Sequence, residues 1–251
     1  MSAPDTAIRV VNVHKAFGSK KVLAGINLEL ACGELLVVLG GSGSGKSVFL
    51  KHLNGLLHPD EGVVEVLGER VSGQKEGDLI PLRRKVSYIF QQGALFDSLT
   101  VGENVAFPLL EHTDLPRHEI AAEVASLLAR VGLAGTEHLM PSELSGGMRK
   151  RVALARGLAL DPQVILYDEP TAGLDPLTGA AITELIRQVA RQTCATSVVV
   201  THDLLVAQSL SGKLAYLSQG TFTFVGTLEE ARQVQGELAR FLSAGGFYAG
   251  A

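Results

Sequence analysis

Two kinds of hydrophobic spacing alternate along this chain, and they predict different elements. Ile8, Val10 and Val13, then Ile26, Leu28 and Leu30, fall at or near every second position, the spacing of strands with one buried face, and predict an antiparallel region near the N-terminus. Val63 to Val71, punctuated by Gly62, Gly68 and Gly73, extends that region. LLVVL, Leu35 to Leu39, is instead a continuous apolar run, which suits a strand covered on both faces by helices. VILY (Val164 to Tyr167), SVVV (Ser197 to Val200) and LAYL (Leu214 to Leu217) are runs of the same kind.

Between the runs the spacing changes to three and four. Ile120, Val124, Leu127, Leu128 and Val131 form one helical stripe with Asp114 and Pro116 upstream, and Ile182, Leu185, Ile186 and Val189 form another after Pro176. The fold class is therefore α/β. The helix-rich stretch from about 98 to 160 lies between strands of one sheet, so it reads as an inserted helical subdomain within a single domain covering 1–251. About 228–251 reads as a C-terminal extension whose Gly- and Ala-rich end, FLSAGGFYAGA, is expected to fray. No internal repeat or low-complexity tract is present.

With 251 residues, 46% of them hydrophobic and 19% charged, and a mean hydropathy of +0.24, the chain has ample material for a core and is not a disordered protein. A formal charge of −4 gives no global field to draw it to nucleic acid, and nucleic acid is not expected among its partners. Cys32 and Cys194, 162 positions apart, have neither zinc nor disulfide spacing; they read as two small buried side chains in a reducing compartment. Asp5, Arg9 and Lys15 interrupt the apolar core that a signal peptide needs, and no apolar run approaches the roughly 18 residues of a membrane span. Any action at a membrane would go through a partner.

Directly after the Leu35 to Leu39 run comes GGSGSGKS: Gly40, Gly41, Ser42, Gly43, Ser44, Gly45, Lys46 and Ser47, leading through Val48 into the apolar helix VFLKHLNGLL. The order strand, G-x-x-x-x-G-K-[ST], helix is that of a loop that wraps phosphates with backbone amides. Lys46 can reach the β- and γ-phosphates of a nucleoside triphosphate, and the Ser47 hydroxyl can ligate Mg²⁺. Asp168 and Glu169 end the VILY run, where ligands of an open α/β sheet gather; the first carboxylate suits Mg²⁺, the second an attacking water. His202 follows the next buried run at the same sheet edge, whereas the other six histidines read as surface residues. Ser145, Gly146 and Gly147, in LSGGM, begin a further apolar-periodic helix and expose amides as a second anion site. Two such helix ends on one chain suggest that two chains share each nucleotide.

This ordered set resembles the nucleotide-binding subunits of ATP-binding cassette (ABC) transporters from about Ile8 to Thr227. The resemblance implies a P-loop NTPase core of ABC ATPase type with an N-terminal antiparallel β region, ATP and Mg²⁺ as ligands, and ATP hydrolysis by a homodimer. It assigns Phe17 to stacking on adenine, the alternative being a strand-end core aromatic. It assigns Gln91 to Mg²⁺ and to coupling with a membrane subunit, with Gln92 the alternative. Ser145, Gly146 and Gly147 would cap the γ-phosphate of the opposite subunit, and Asp175 would be the D-loop residue. Asp168 becomes the magnesium acid, Glu169 the general base and His202 the switch histidine. Met148 stands where the signature usually has Gln.

Gln91 to Pro116, with its ALF, NVAFPL and EHT-LP pieces, is similar to the ATPases of maintenance-of-lipid-asymmetry phospholipid transporters, as is Met148. That likeness implies integral permease subunits contacted through this segment, further lipid-transport subunits, and a peripheral position on the cytoplasmic face of the inner membrane. A DNA-repair or chromosome-organising ABC ATPase is the alternative, but Lys46 and Ser145 are only 99 positions apart, too close to hold a long coiled coil. A translation factor would carry two motif sets. A small P-loop kinase would need no LSGG segment, and an ABC transporter of another substrate also remains.

Overall fold

A computed structural model describes residues 6–210 and 212–244. Strands β1 (Thr6–Phe17) and β2 (Lys20–Ala31) pair antiparallel, as do β1 and β4 (Glu61–Val66), and short β5 (Glu69–Arg70) closes a four-stranded sheet ordered β2-β1-β4-β5. The second sheet has six strands. It consists of β3 (Leu35–Leu39), β6 (Val86–Ile89), β7 (Val164–Asp168), β8 (Thr196–Thr201), β9 (Lys213–Ser218) and β10 (Thr221–Gly226), ordered β10-β9-β3-β8-β7-β6. All its pairings are parallel except β9 with β10. The chain thus has the α/β architecture expected, with an antiparallel sheet beside a mainly parallel one, and each strand expected from an apolar run is present.

The continuous runs are explained by what lies on each side of this sheet. Leu36 and Val38 of β3, with Leu166 of β7 and Val198 and Val200 of β8, face the antiparallel sheet and helix α1 (Lys46–Leu53). Val37, Leu39, Ile165, Tyr167 and Val199 face the opposite way, into a core made with the helices. With alternate side chains pointing to opposite faces, only an unbroken apolar run fills both.

A 3-10 turn (Glu76–Leu79) and α2 (Ile80–Lys85) connect β5 to β6; the apolar spacing did not predict this helix. Between the adjacent strands β6 and β7 come α3 (Val101–His112), α4 (Arg117–Arg130) and α5 (Gly146–Leu158). Thr100 and Glu103 form a reciprocal capping box that starts α3, and Ser145 caps α5. The predicted stripe Ile120, Val124, Leu127, Leu128 and Val131 is buried in the same core as Val37 and Leu39, so these helices share an apolar interior with the sheet. Then α6 (Pro176–Thr193) precedes β8, α7 (Leu204–Leu210) follows it, and α8 (Leu228–Gln233) and α9 (Glu237–Ala244) follow β10.

Three expectations are overturned. Cys32 and Cys194 are both exposed: Cys32 sits in the turn after β2, and Cys194 caps α6 at φ 52°, a surface turn rather than a core position. His52 is fully buried on the inner face of α1, at 1% exposure. The last predicted-to-fray segment is partly ordered helix, because Leu242 is buried and Phe241 lies 5.3 Å from the Tyr216 ring. Gly245 to Ala251 lie outside the described residues.

Candidate nucleotide site

The buried parallel strands deliver their chemistry at one edge. From β3 the chain turns through the glycine loop into α1; Gly43 and Gly45 adopt φ 75° and 106°, a region that glycine enters without cost. A Cβ on Gly40 would lie 2.6 Å from the Leu217 carbonyl oxygen, so the loop also fits closely over β9. Lys46 is 6% exposed, and its ammonium donates to the Gly40 and Gly41 carbonyls at 2.9 and 3.1 Å. Burying it requires a counter-charge, and Glu169 Oε1 stands 3.3 Å away.

Glu169 reaches that point through an unusual backbone. At φ 46° it leaves β7 in the left-handed region, fixed by its N–H donating to the Val200 carbonyl at 3.0 Å. Such a conformation in a non-glycine residue costs on the order of 1–3 kcal/mol and persists only where the surroundings impose it. The turn aims the carboxylate back across the sheet edge. His202 Nδ1–H donates to Oε2 at 2.9 Å, and the His202 backbone N–H approaches the same oxygen at 3.3 Å. One carboxylate thus joins the ends of β3, β7 and β8.

Beside it, the Ser47 hydroxyl donates to Asp168 Oδ1 at 2.7 Å, and the Tyr88 hydroxyl donates to Oδ2 at 2.7 Å. Burial, and then the Asp168 charge, push the Tyr88 phenol up, so it remains a donor. Ser47, Asp168 and the Gln91 amide are oxygen donors of the kind a hard divalent cation prefers. Among the described residues no group of three or more His, Cys, Asp or Glu is placed to hold a metal by itself. The residues fit a cation completed by phosphate oxygens and water rather than a protein cage.

Lys46, Ser47, Gln91, Glu169 and His202 line a cleft of about 710 Å³ together with Phe17 and Val48. Gly41, Ser42, Gly43 and Gly45 form its floor. Gly40, Ser44 and Asp168 do not line it: the Gly40 carbonyl accepts from Lys46, the Ser44 hydroxyl is buried with no partner, and Asp168 is reached through Ser47. Phe17 is 49% exposed, which disposes of the core-aromatic alternative. Gln91 lines the cleft and Gln92 does not.

Ser145, Gly146, Gly147 and Asp175 lie outside this cleft. The Ser145 hydroxyl accepts the Met148 N–H at 3.2 Å, and a Cβ on Gly147 would lie 2.4 Å from Thr178 Cγ2, so the start of α5 is seated against α6. Met148 packs on the apolar core. Asp175 caps α6 by accepting from the Leu177 and Thr178 N–H groups at 3.1 and 3.0 Å; hydrogen bonds from Thr178 hold its carboxyl below the usual range.

Sequence reasoning missed two residues. Tyr88 arrives from β6, which lies beside β7 in the sheet, and no local pattern marks it. Lys150, buried on α5, donates to the Gln91 carbonyl, and to that of Glu169 at 3.4 Å, with burial lowering its pKa. It sits three residues beyond the LSGG run, facing inward as a helix period directs.

A family model described as ABC transporter matches residues 23–172. The probable ribonucleotide transport ATP-binding protein mkl of Mycobacterium leprae is 42% identical over 223 residues, covering 89% of this chain and 64% of its own length. The chain therefore spans less than two thirds of that relative. The intermembrane phospholipid transport system ATP-binding protein MlaF of Haemophilus influenzae is 37% identical over 91% of this chain and 86% of its own. A dimeric structure of a post-hydrolysis state of the ATP-binding cassette MJ0796 bound to ADP and Pi superposes with a TM-score of 0.81 at 34% identity, covering 88% of this chain and 98% of that one.

Proposed function

This chain belongs to the ABC transporter family as an ATP-binding subunit, and we propose that it hydrolyses MgATP in the Lys46 cleft to drive movement of phospholipid or a related hydrophobic substrate. The observation that carries the hydrolytic reading is the buried contact between Lys46 and Glu169, with His202 on the second carboxylate oxygen. An arriving γ-phosphate competes for the Lys46 ammonium and releases Glu169 from it. The freed carboxylate takes the proton from a water attacking the γ-phosphorus, the bond to the β–γ bridging oxygen breaks, and ADP and phosphate result. His202 holds Glu169 in line. Mg²⁺, held by Ser47, Gln91 and Asp168, would neutralise charge on the β- and γ-phosphates. Phe17 supplies a ring for the base. Glu169→Gln should bind MgATP and hydrolyse it about 10² to 10⁴ times more slowly; turnover near wild type would remove Glu169 from the reaction.

The chain acts as a homodimer in which Ser145, Gly146 and Gly147 of one subunit, with Asp175 nearby, close the Lys46 cleft of the other. It is a single domain, with about 98–160 as a helical subdomain and about 228–251 as a C-terminal extension. Gln91 to Pro116 receives an integral permease at the cytoplasmic face of the membrane. The exposure of Phe96, Phe107, Leu110 and Leu115 in this one segment supports that docking, and no helix among the described residues is long and apolar enough to cross a membrane. The phospholipid reading rests on likeness to MlaF. Purification with the native membrane partner should yield bound phospholipid; nucleotide cargo instead would favour the substrate for which mkl is named.

A further inference from the structure

The cleft has one wall that no motif supplies. Phe241, far from every phosphate-binding or acidic motif in sequence, lines the same cleft as Phe17, Lys20 and Val22, the residues at its base-binding end. It is brought there by α9, and α9 is held firmly. Leu238 and Leu242, one helical turn apart, are buried in the core that backs the parallel sheet. The Glu237 carboxylate accepts from the Ser218 hydroxyl at 2.9 and 2.8 Å and from the Tyr216 hydroxyl at 3.4 Å, fastening the start of the helix to the end of β9. The Phe241 ring rests against Tyr216 at 5.3 Å and is only partly buried, so one part of it packs and the rest borders the cleft.

We propose that Phe241 is a nucleotide-binding residue: its ring forms a second aromatic wall for the purine base, opposite or beside Phe17, so that the C-terminal helix selects a base-bearing triphosphate. A ring backed by a fixed partner gives stacking surface at small entropic cost, and contact with a π-face tolerates any base. The inference rests on the ATP reading of the cleft. It goes beyond it in assigning α9, which lies after the last family motif, to ligand contact.

The protein has no tryptophan, so Phe241→Trp would carry a single fluorescent reporter at this wall. In magnesium-free buffer, which arrests turnover, ATP should alter the emission of that variant while inorganic triphosphate, binding at the Lys46 loop without a base, should not. Phe241→Leu, which keeps apolar bulk against Tyr216 but offers no ring, should weaken ATP about 5- to 100-fold by calorimetry and leave triphosphate affinity unchanged. Equal weakening of both ligands, or a tryptophan blind to saturating ATP in a variant that calorimetry shows to bind it, would overturn the proposal. Failure of the wild-type chain to bind ATP at all would instead sink the reading beneath it.

Discussion

Two helix N-termini in this molecule carry serine and glycine, yet they are built for different situations. At the start of α1 the loop is complete within one chain: a buried cation, the Glu169 carboxylate and a histidine converge on a cleft, and the Ser44 hydroxyl is buried without a partner. At the start of α5 the Ser145 hydroxyl is already used in capping Met148, Gly147 is pressed against Thr178, and neither residue reaches that cleft. The first has the charges that phosphoryl transfer needs. The second has only backbone amides and a dipole, which can add to a site but not make one. The difference teaches that a glycine-rich helix start is defined by what the sheet brings beside it.

The sharpest way to break this comparison is to divide the lesions between subunits. Lys46→Ala and Ser145→Arg homodimers should each be inactive. In a head-to-tail heterodimer both lesions fall in one site, so mixing should restore nucleotide trapping at about one site per dimer. Absence of trapping, with heterodimers shown to form, would mean that α5 does not serve the partner's cleft.

Next in size is a steric test of the α5 seat. Gly147→Ala places a methyl where 2.4 Å is available, so it should cost about 1–3 kcal/mol by overpacking and lower Tm, with ATP affinity of the isolated subunit unchanged. An unaltered melting curve would show that Thr178 yields freely. Phe17→Ala should weaken ATP by roughly 1–3 kcal/mol with little change in kcat at saturation; lost stability at unchanged affinity would return Phe17 to a packing role.

The smallest effect concerns the far end of α1. His52 Nδ1–H donates to the Val48 carbonyl at 2.6 Å, leaving Nε2 buried without a partner, and burial lowers the pKa of the ring. The unfolded chain therefore takes up a proton before the folded one does. This contribution is fully present above the ordinary value of 6.5 and is lost as pH falls through the depressed folded value. Thermal melts of wild type should decline across that window, and His52→Leu should flatten the decline. Identical slopes would show the ring to be solvated.

Much of the site was legible because its pieces are local. A buried strand followed by GGSGSGKS marks a phosphate loop through residues within a few positions of one another, and the apolar runs before Asp168 and before His202 put polar groups at strand ends. Phe17 was legible only through resemblance, and its exposure required coordinates. Tyr88, Lys150 and Phe241 carry no local signal, since each matters through a neighbour 59 or more positions away in sequence, Asp168, Gln91 or the glycine loop.

The sequence by itself determined the strands of the N-terminal region and of the apolar runs, two helix stripes, the phosphate loop and the order of the acidic and histidine motifs, because each depends on residues within a few positions of one another; β6 and β10 carried no such pattern. Tertiary structure alone decided that Glu169 bridges Lys46 and His202, that His52 is buried while Cys32 and Cys194 are not, and that α9 folds back beside the cleft. Those outcomes depend on strand order, which sets β3 between β8 and β9, and on a core shared by distant helices. Side-chain periodicity says which face is apolar. It does not say which other surface will cover it.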